Sequence, residues 1–123
     1  MFIDTHCHLD FPEFDPDRER VIDDAAKSGI DYIINIGSSL RSSEASLELS
    51  RKYEFIYAAV GVHPHEADSF DDKAYSSIKE LARHDKVVAI GEIGLDYYKN
   101  YSKAENQKPL FVSLLALSKD LGL

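Results

Sequence analysis

A single cysteine, Cys7, is all the thiol chemistry in the sequence. No internal disulfide can form, which excludes a small bridge-held secreted domain and suits a reducing, cytoplasmic setting. Basic residues are scarce: 14 lysines and arginines stand against 22 acids, a formal net charge of −8. Such a chain does not grip nucleic acid by charge alone. An enzyme acting on phosphate esters is still allowed, because bound divalent ions supply positive charge locally. No apolar run reaches the length of a transmembrane helix, so no membrane partner is expected. No basic segment followed by an apolar one opens the chain, so no signal peptide is expected. Long runs of one charge sign, low-complexity stretches, linkers and strong repeats are missing too, which argues against disorder. What remains is 123 residues with 44% hydrophobic content, read as one domain over 1–123 that is either small or part of something larger.

The apolar pattern alternates between two periods. Phe2 to Asp10 opens as a strand that ends near His6 or His8. Asp15-Pro16 reads as the start of a helix whose stripe is Val21, Ile22, Ala25 and Ala26, closed by Gly29. Ile30 to Ile36 is a nearly unbroken apolar run, the pattern of a strand covered on both faces. After Gly37-Ser38-Ser39, a helix from Leu40 to Tyr53 places Ala45, Leu49 and Tyr53 on one side. Phe55 to Val62 is a third strand, followed by a helix capped by Asp71 or Asp72 with Tyr75, Ile78, Leu81 and Ala82 inward. Val87 to Ile93 is a fourth strand. Ser102 to Glu105 matches a capping box for a last helix carrying Leu110, Phe111, Leu114, Leu115 and Ala116, with Pro109 expected to split or kink it. Four βα units in series predict an α/β fold with parallel strands and right-handed crossovers.

Polar residues with chemistry gather at the strand ends. His6 and His8, two apart, share a strand face and can hold one divalent ion, and Asp4 on that face can orient an imidazole. His63 and His65 flank Pro64 after the third strand, and Glu92 ends the fourth. In a parallel array all these ends open on one rim, where sites form. Glu92, with apolar neighbours, needs a partner or a metal ion, and its two oxygens can bridge two ions about 3.5–4 Å apart. His63 and His65 are ligands or donors to a phosphate. Asp96, Tyr97 and Tyr98 follow Glu92 and either line a groove where bases stack or pack their loop onto the fold. Cys7 points away from the histidines and reads as a small apolar residue, and His84 as a solvated one.

Three stretches, Phe2 to Asp10, Gly61 to His65 and Gly91 to Tyr98, resemble in order and spacing the N-terminal motifs of the TatD family of metal-dependent deoxyribonucleases. Gln107, Phe111 and Leu114-Leu115 resemble the helix that follows there. The resemblance implies a (β/α)8 barrel of the amidohydrolase-like type, a TIM barrel, with two divalent ions, magnesium, manganese or zinc, at its rim. It implies that His6 and His8 hold one ion, that Glu92 bridges both, and that His63 or His65 contacts the scissile phosphate. Glu92 and His63 would be the catalytic residues, with His65, Asp96 and Tyr97 toward the substrate. The reaction implied is hydrolysis of DNA phosphodiesters by a metal-activated water.

Family members are about twice this length, and further histidines and an aspartate of their site come from later strands. The expectation is therefore an N-terminal half-barrel of about four βα units, with at most partial metal occupancy. It would be weakly active or inactive alone, and prone to self-associate through its open edges. The competing readings are another metal hydrolase on the same barrel, or a remnant that binds a metal or a partner without turnover.

Overall fold

The structure, a computed structural model, describes residues 1–123. Four strands alternate with four helices: β1 (Phe2–Cys7), α1 (Arg18–Lys27), β2 (Ile30–Ile36), α2 (Leu40–Lys52), β3 (Ile56–Val60), α3 (Asp72–Leu81), β4 (Val87–Ile90) and α4 (Ala104–Leu121). Short 3-10 turns at Pro12–Phe14 and Pro64–Ser69 follow β1 and β3. The sheet order is β1-β2-β3-β4 and every neighbouring pair is parallel. All four strand C-termini therefore open on one edge, as expected from the βα series. No helix is long and apolar enough to cross a membrane.

The helices cover one sheet face. Val60, Ile78, Val87, Leu110, Leu114 and Leu117 anchor the larger apolar cluster. Leu9, Ile22, Ile33 and Ile56 form a second one beneath α1. Elsewhere on the sheet Ile3, Tyr32 and Val88 are 48, 40 and 40% exposed. Only the C-terminal part of β2 is deeply buried, so its apolar run does not mean cover on both faces throughout.

Several local expectations are corrected. The helix after β1 begins at Arg18 with Asp17 as its cap, not at Asp15-Pro16. Asp15 instead accepts from the Arg18 guanidinium, which also donates to the Leu9 and Phe11 carbonyls and holds the turn closed. Ala26 is exposed. The α2 face turned inward is made of Ser42, Ser43, Ser46, Leu47 and Ser50, while Ala45 and Leu49 are half-buried. Ser102 is no cap: it is buried and its hydroxyl donates to the His65 carbonyl, while Asp68 accepts from the backbone N–H of Lys103 at the α4 start. Pro109 does not split α4, which runs through it unbroken. The one bond it removes would have ended on the carbonyl of exposed Glu105, which water can reach. In α4, Leu117 is buried and Leu115 and Ala116 are not.

The serines of α2 stitch the strand ends together. Ser43 Oγ donates to the Gly61 carbonyl and accepts from the Gly61 N–H, both at 3.0 Å. Asn35, fully buried on β2, donates to Ser46 Oγ and to Asp10 Oδ1, both at 2.8 Å, and accepts from the Leu9 N–H at 2.6 Å. Ser42 Oγ donates to Asp10 Oδ2 at 2.6 Å. Gly61 has no room for a side chain: a Cβ there would lie 2.6 Å from the Gly91 carbonyl carbon. Gly61→Ala is expected to lose about 1–3 kcal/mol of stability. Gly94→Ala, where a Cβ meets nothing within 4 Å, should change it little. Urea denaturation of the two variants checks the contrast.

Candidate metal centre at the strand ends

His6 lies within β1 and His8 one residue past its end, and both imidazoles reach toward Glu92. Glu92 follows β4, its N–H held by the Gly37 carbonyl at 2.7 Å and the neighbouring Gly91 N–H by Val60. Its side chain is one-third exposed. Glu92 Oε2 is 3.9 Å from His6 Nε2 and 3.8 Å from His8 Nε2. Its other oxygen, Oε1, is 3.9 Å from His63 Nε2. These gaps are too long for hydrogen bonds but no wider than two ligand bonds of about 2.0–2.2 Å to one shared ion. Donor atoms of His6, His8 and Glu92 all lie within 4.8 Å of one another.

Hydrogen bonding sorts the histidines by what their outer nitrogens can do. His8 Nδ1 is 2.9 Å from the Ile36 carbonyl, which can only accept. In the neutral ring the proton therefore sits on Nδ1, and Nε2 presents a lone pair toward Glu92, the form a metal ligand needs. Phe11 stacks on the same ring at 4.6 Å and fixes its plane. His63 is the reverse. Its Nδ1 accepts the backbone N–H of His65 at 3.2 Å, inside the turn that Pro64 begins. In the neutral ring the proton then sits on Nε2, so His63 presents a donor toward the cluster. Burial, with His65 alongside, holds the His63 imidazole below its ordinary pKa. That keeps it neutral near pH 7.

His65 turns away from Glu92. Its Nε2 meets Asp96 Oδ2 at 2.5 Å, and Tyr101 packs edge-on to its ring at 4.7 Å. The N–H groups of Lys99 and Tyr98 and the His65 imidazole hold the Asp96 carboxyl below the usual carboxylate range. Buried Gln107 accepts the Asp96 N–H and donates to the Asp96 and Ser102 carbonyls. An open cavity of about 260 Å³ at the rim is lined by His8, Phe11, Ser38, His63, His65, Glu66 and Glu92. A larger hollow of about 500 Å³ lies between the second 3-10 turn, α3 and α4 and carries no histidine.

Of the residues singled out in the sequence, His6, His8, His63 and Glu92 come together. His65 and Asp96 pair one step outward, and Tyr97 is about half exposed, outside the cavity wall. Tyr98, 91% exposed, does not pack its loop onto the fold. Asp4 does not touch an imidazole; its carboxylate accepts the backbone N–H of His6, and the group that orients His8 is the Ile36 carbonyl. Cys7 faces Asn35 and the Ile34 carbonyl, and burial pushes its thiol up to about 12. Asn35 and Tyr101 were missed. An amide inside the run Ile33-Ile34-Asn35-Ile36 was the available signal for the first.

The family model for TatD-related DNases matches residues 3–123. A metal-dependent hydrolase of Bacillus subtilis, YabD, is 40% identical over all of this chain and 48% of its own length. The 3′–5′ ssDNA/RNA exonuclease TatD of Escherichia coli is 35% identical over 98% of this chain and 46% of its own. The crystal structure of YjjV, a TatD homologue from Escherichia coli, superposes with a TM-score of 0.89 at 37% identity, over 99% of this chain and 48% of that one. The chain thus spans about half the length of the curated relatives it matches, and its four βα units cover about half of their barrel.

At pH 7.5, ¹⁵N shifts of the imidazole nitrogens in the metal-free chain should report His8 protonated at Nδ1 and His63 at Nε2. The same tautomer on both rings would contradict the assignment. Because the His63 pKa is lowered on folding, its effect on stability is fully favourable above the ordinary imidazole pKa. That contribution declines as the pH falls below it. Cys7, as a raised thiol, should resist iodoacetamide at pH 8 until the chain is unfolded.

Proposed function

The chain belongs to the TatD-related DNase family, and on that premise we propose that its rim is one side of a metal-dependent phosphodiesterase site acting on DNA. The observation that carries the reading is the division of Glu92: one carboxylate oxygen faces His6 and His8 and the other faces His63. His6 and His8 would hold a divalent ion through Nε2, with Glu92 as the shared carboxylate. Two imidazoles and a carboxylate suit zinc or manganese, and magnesium with more water in its shell. Divalent ions bound there would acidify water and offset charge on a phosphate. In the complete family site two ions are expected, and at most partial occupancy in this chain.

The remaining groups orient the substrate. His63 Nε2–H would donate to a phosphate oxygen, and its backbone link to His65 sets the ring. Asp96 holds His65 against that turn, and Tyr97, next to Asp96 in the chain and about half exposed, would face the substrate. The name of the Escherichia coli relative, an ssDNA/RNA exonuclease, supports a nucleic-acid substrate and brings RNA within scope. A cytoplasmic setting is supported by the lone reduced-type thiol. In the 123-residue chain β1 and β4 are sheet edges with Phe2, Ile3 and Val88 exposed, and a second copy is proposed to cover them. Light scattering that shows only monomer removes that part.

Isothermal titration with Zn²⁺ or Mn²⁺ should show binding that His8→Ala and Glu92→Gln each weaken by about tenfold or more, since loss of supporting groups alone costs that much. Incubation of a single-stranded oligonucleotide with Mg²⁺ or Mn²⁺ should give slow cleavage that EDTA and His6→Ala abolish. Fast turnover by the isolated chain would refute the expected weak activity. Metal binding with no cleavage at all would leave a binding module in place of an enzyme.

A further inference from the structure

Asp96 is held at every polar atom, main chain and side chain. It gives its N–H to Gln107 Oε1 at 2.8 Å, and its carbonyl accepts from Gln107 Nε2 at 3.0 Å. Its Oδ1 accepts the N–H groups of Tyr98 and Lys99, both at 3.0 Å. Only Oδ2 is left, and it meets His65 Nε2 at 2.5 Å. A carboxylate pinned this way has one direction to point, and that direction is the His65 ring. The far end of the loop is held as firmly. Ser102, 2% exposed, donates its hydroxyl to the His65 carbonyl and accepts the Asp68 N–H at 3.2 Å. Its own carbonyl accepts from Gln107 Nε2 at 2.8 Å. One buried amide on α4 thus brackets residues 96–102, and one buried hydroxyl ties that bracket to the 3-10 turn after His63.

Packing alone does not call for an amide at position 107. The side chain has no exposure, and Leu110, Leu114 and Leu117 of the same helix fill their buried places with carbon only. A buried amide constrains its partners, because each hydrogen bond left unmade there costs stability. What Gln107 constrains leads to the rim. The Asp96 carboxyl, held below the usual carboxylate range, accepts, and His65 Nε2 donates. The His65 N–H enters His63 Nδ1 at 3.2 Å, and the two rings stand edge to face at 4.1 Å. We infer that Gln107 and Ser102 are positioning residues for the imidazole of His63, acting from α4 through Asp96 and His65. This rests on the phosphodiesterase reading, in which His63 meets the phosphate, and it makes α4 part of the site instead of only a cover for the sheet. The hydrogen bonds of Gln107 and Ser102 go to the His65 side of the rim and none goes to His6, His8 or Glu92, so ion binding should not depend on them.

In the ¹⁵N-labelled, metal-free chain at pH 7.5, the His65 Nε2–H should give a downfield proton resonance that exchanges slowly with water. His65→Gln identifies the resonance by removing it. Gln107→Met keeps the side-chain volume and removes the hydrogen bonds, and the resonance should be lost to exchange. Ser102→Ala, a smaller change that decides the matter if Gln107→Met does not fold, should do the same. In both variants Mn²⁺ affinity by isothermal titration should stay within about twofold of the parent, while kcat for bis(p-nitrophenyl) phosphate in Mn²⁺ falls about tenfold or more. A merely structural role would lower the urea midpoint and leave the resonance in place. The inference is overturned if the parent lacks the resonance, if the variants keep it, or if kcat is unchanged where it is lost. A parent that shows the resonance, loses it in the variants and hydrolyses no ester removes the phosphodiesterase reading alone. A parent that hydrolyses the ester, with variants that keep both rate and resonance, removes the positioning alone.

Discussion

Everything at the rim depends on one buried amide. Asn35 on β2 sits with no exposure, and each of its polar atoms is used: two donors go to Asp10 and Ser46, and the carbonyl accepts from Leu9. A buried polar group without partners costs a few kcal/mol, so the geometry that satisfies it is enforced. No buried side-chain nitrogen or oxygen in the chain is left without a partner. The segment leaving β1, which carries His8, is thereby tied to β2 and α2. The same helix reaches β3 through Ser43 and Gly61, and Gly61 abuts the Gly91-Glu92 segment. A polar clamp, with Phe11 stacked on the His8 ring, sets the histidines against the glutamate.

That explains which parts of the fold were legible beforehand. The strands were readable because apolar runs of the right length alternate with helical stripes, and the helices covering one face follow from burial. The serine face of α2 was not readable as a core face, because serine is a surface residue until a neighbour satisfies it, and those neighbours, Asp10, Asn35 and Gly61, are distant in sequence. Ser102 misled for a related reason. Its spacing to Glu105 is that of a cap, yet the nearby His65 carbonyl takes its hydroxyl. The strand-end histidines and Glu92 were legible as a group because a parallel array brings its ends together. What each nitrogen faces was not, because it depends on carbonyls such as that of Ile36, and carbonyls leave no mark in the sequence.

The two histidine pairs look alike as sequence and differ as chemistry. His6 and His8 sit on or just past a strand, where the next strand's carbonyl line takes the His8 Nδ1 proton. His63 and His65 sit in a proline-started turn, where a backbone N–H occupies Nδ1 of His63. In their neutral rings His8 offers a lone pair and His63 a proton, with the Glu92 carboxylate between them. An acidic chain needs such a division to host a cation and an anionic ester side by side, because its net charge of −8 attracts the first and repels the second.

The close approach of Gly61 to Gly91 has a mechanical meaning. With backbone against backbone and no side chain to rotate, the ends of β3 and β4 have no soft coordinate between them, so thermal motion carries them as one body. The loop bearing Tyr98 and Tyr101 is tied down at Asp96 and Ser102 and by Tyr101 against His65, while the Tyr98 ring stands in solvent. The rigidity beneath the imidazoles and the carboxylate thus comes from what one glycine, Gly61, leaves out.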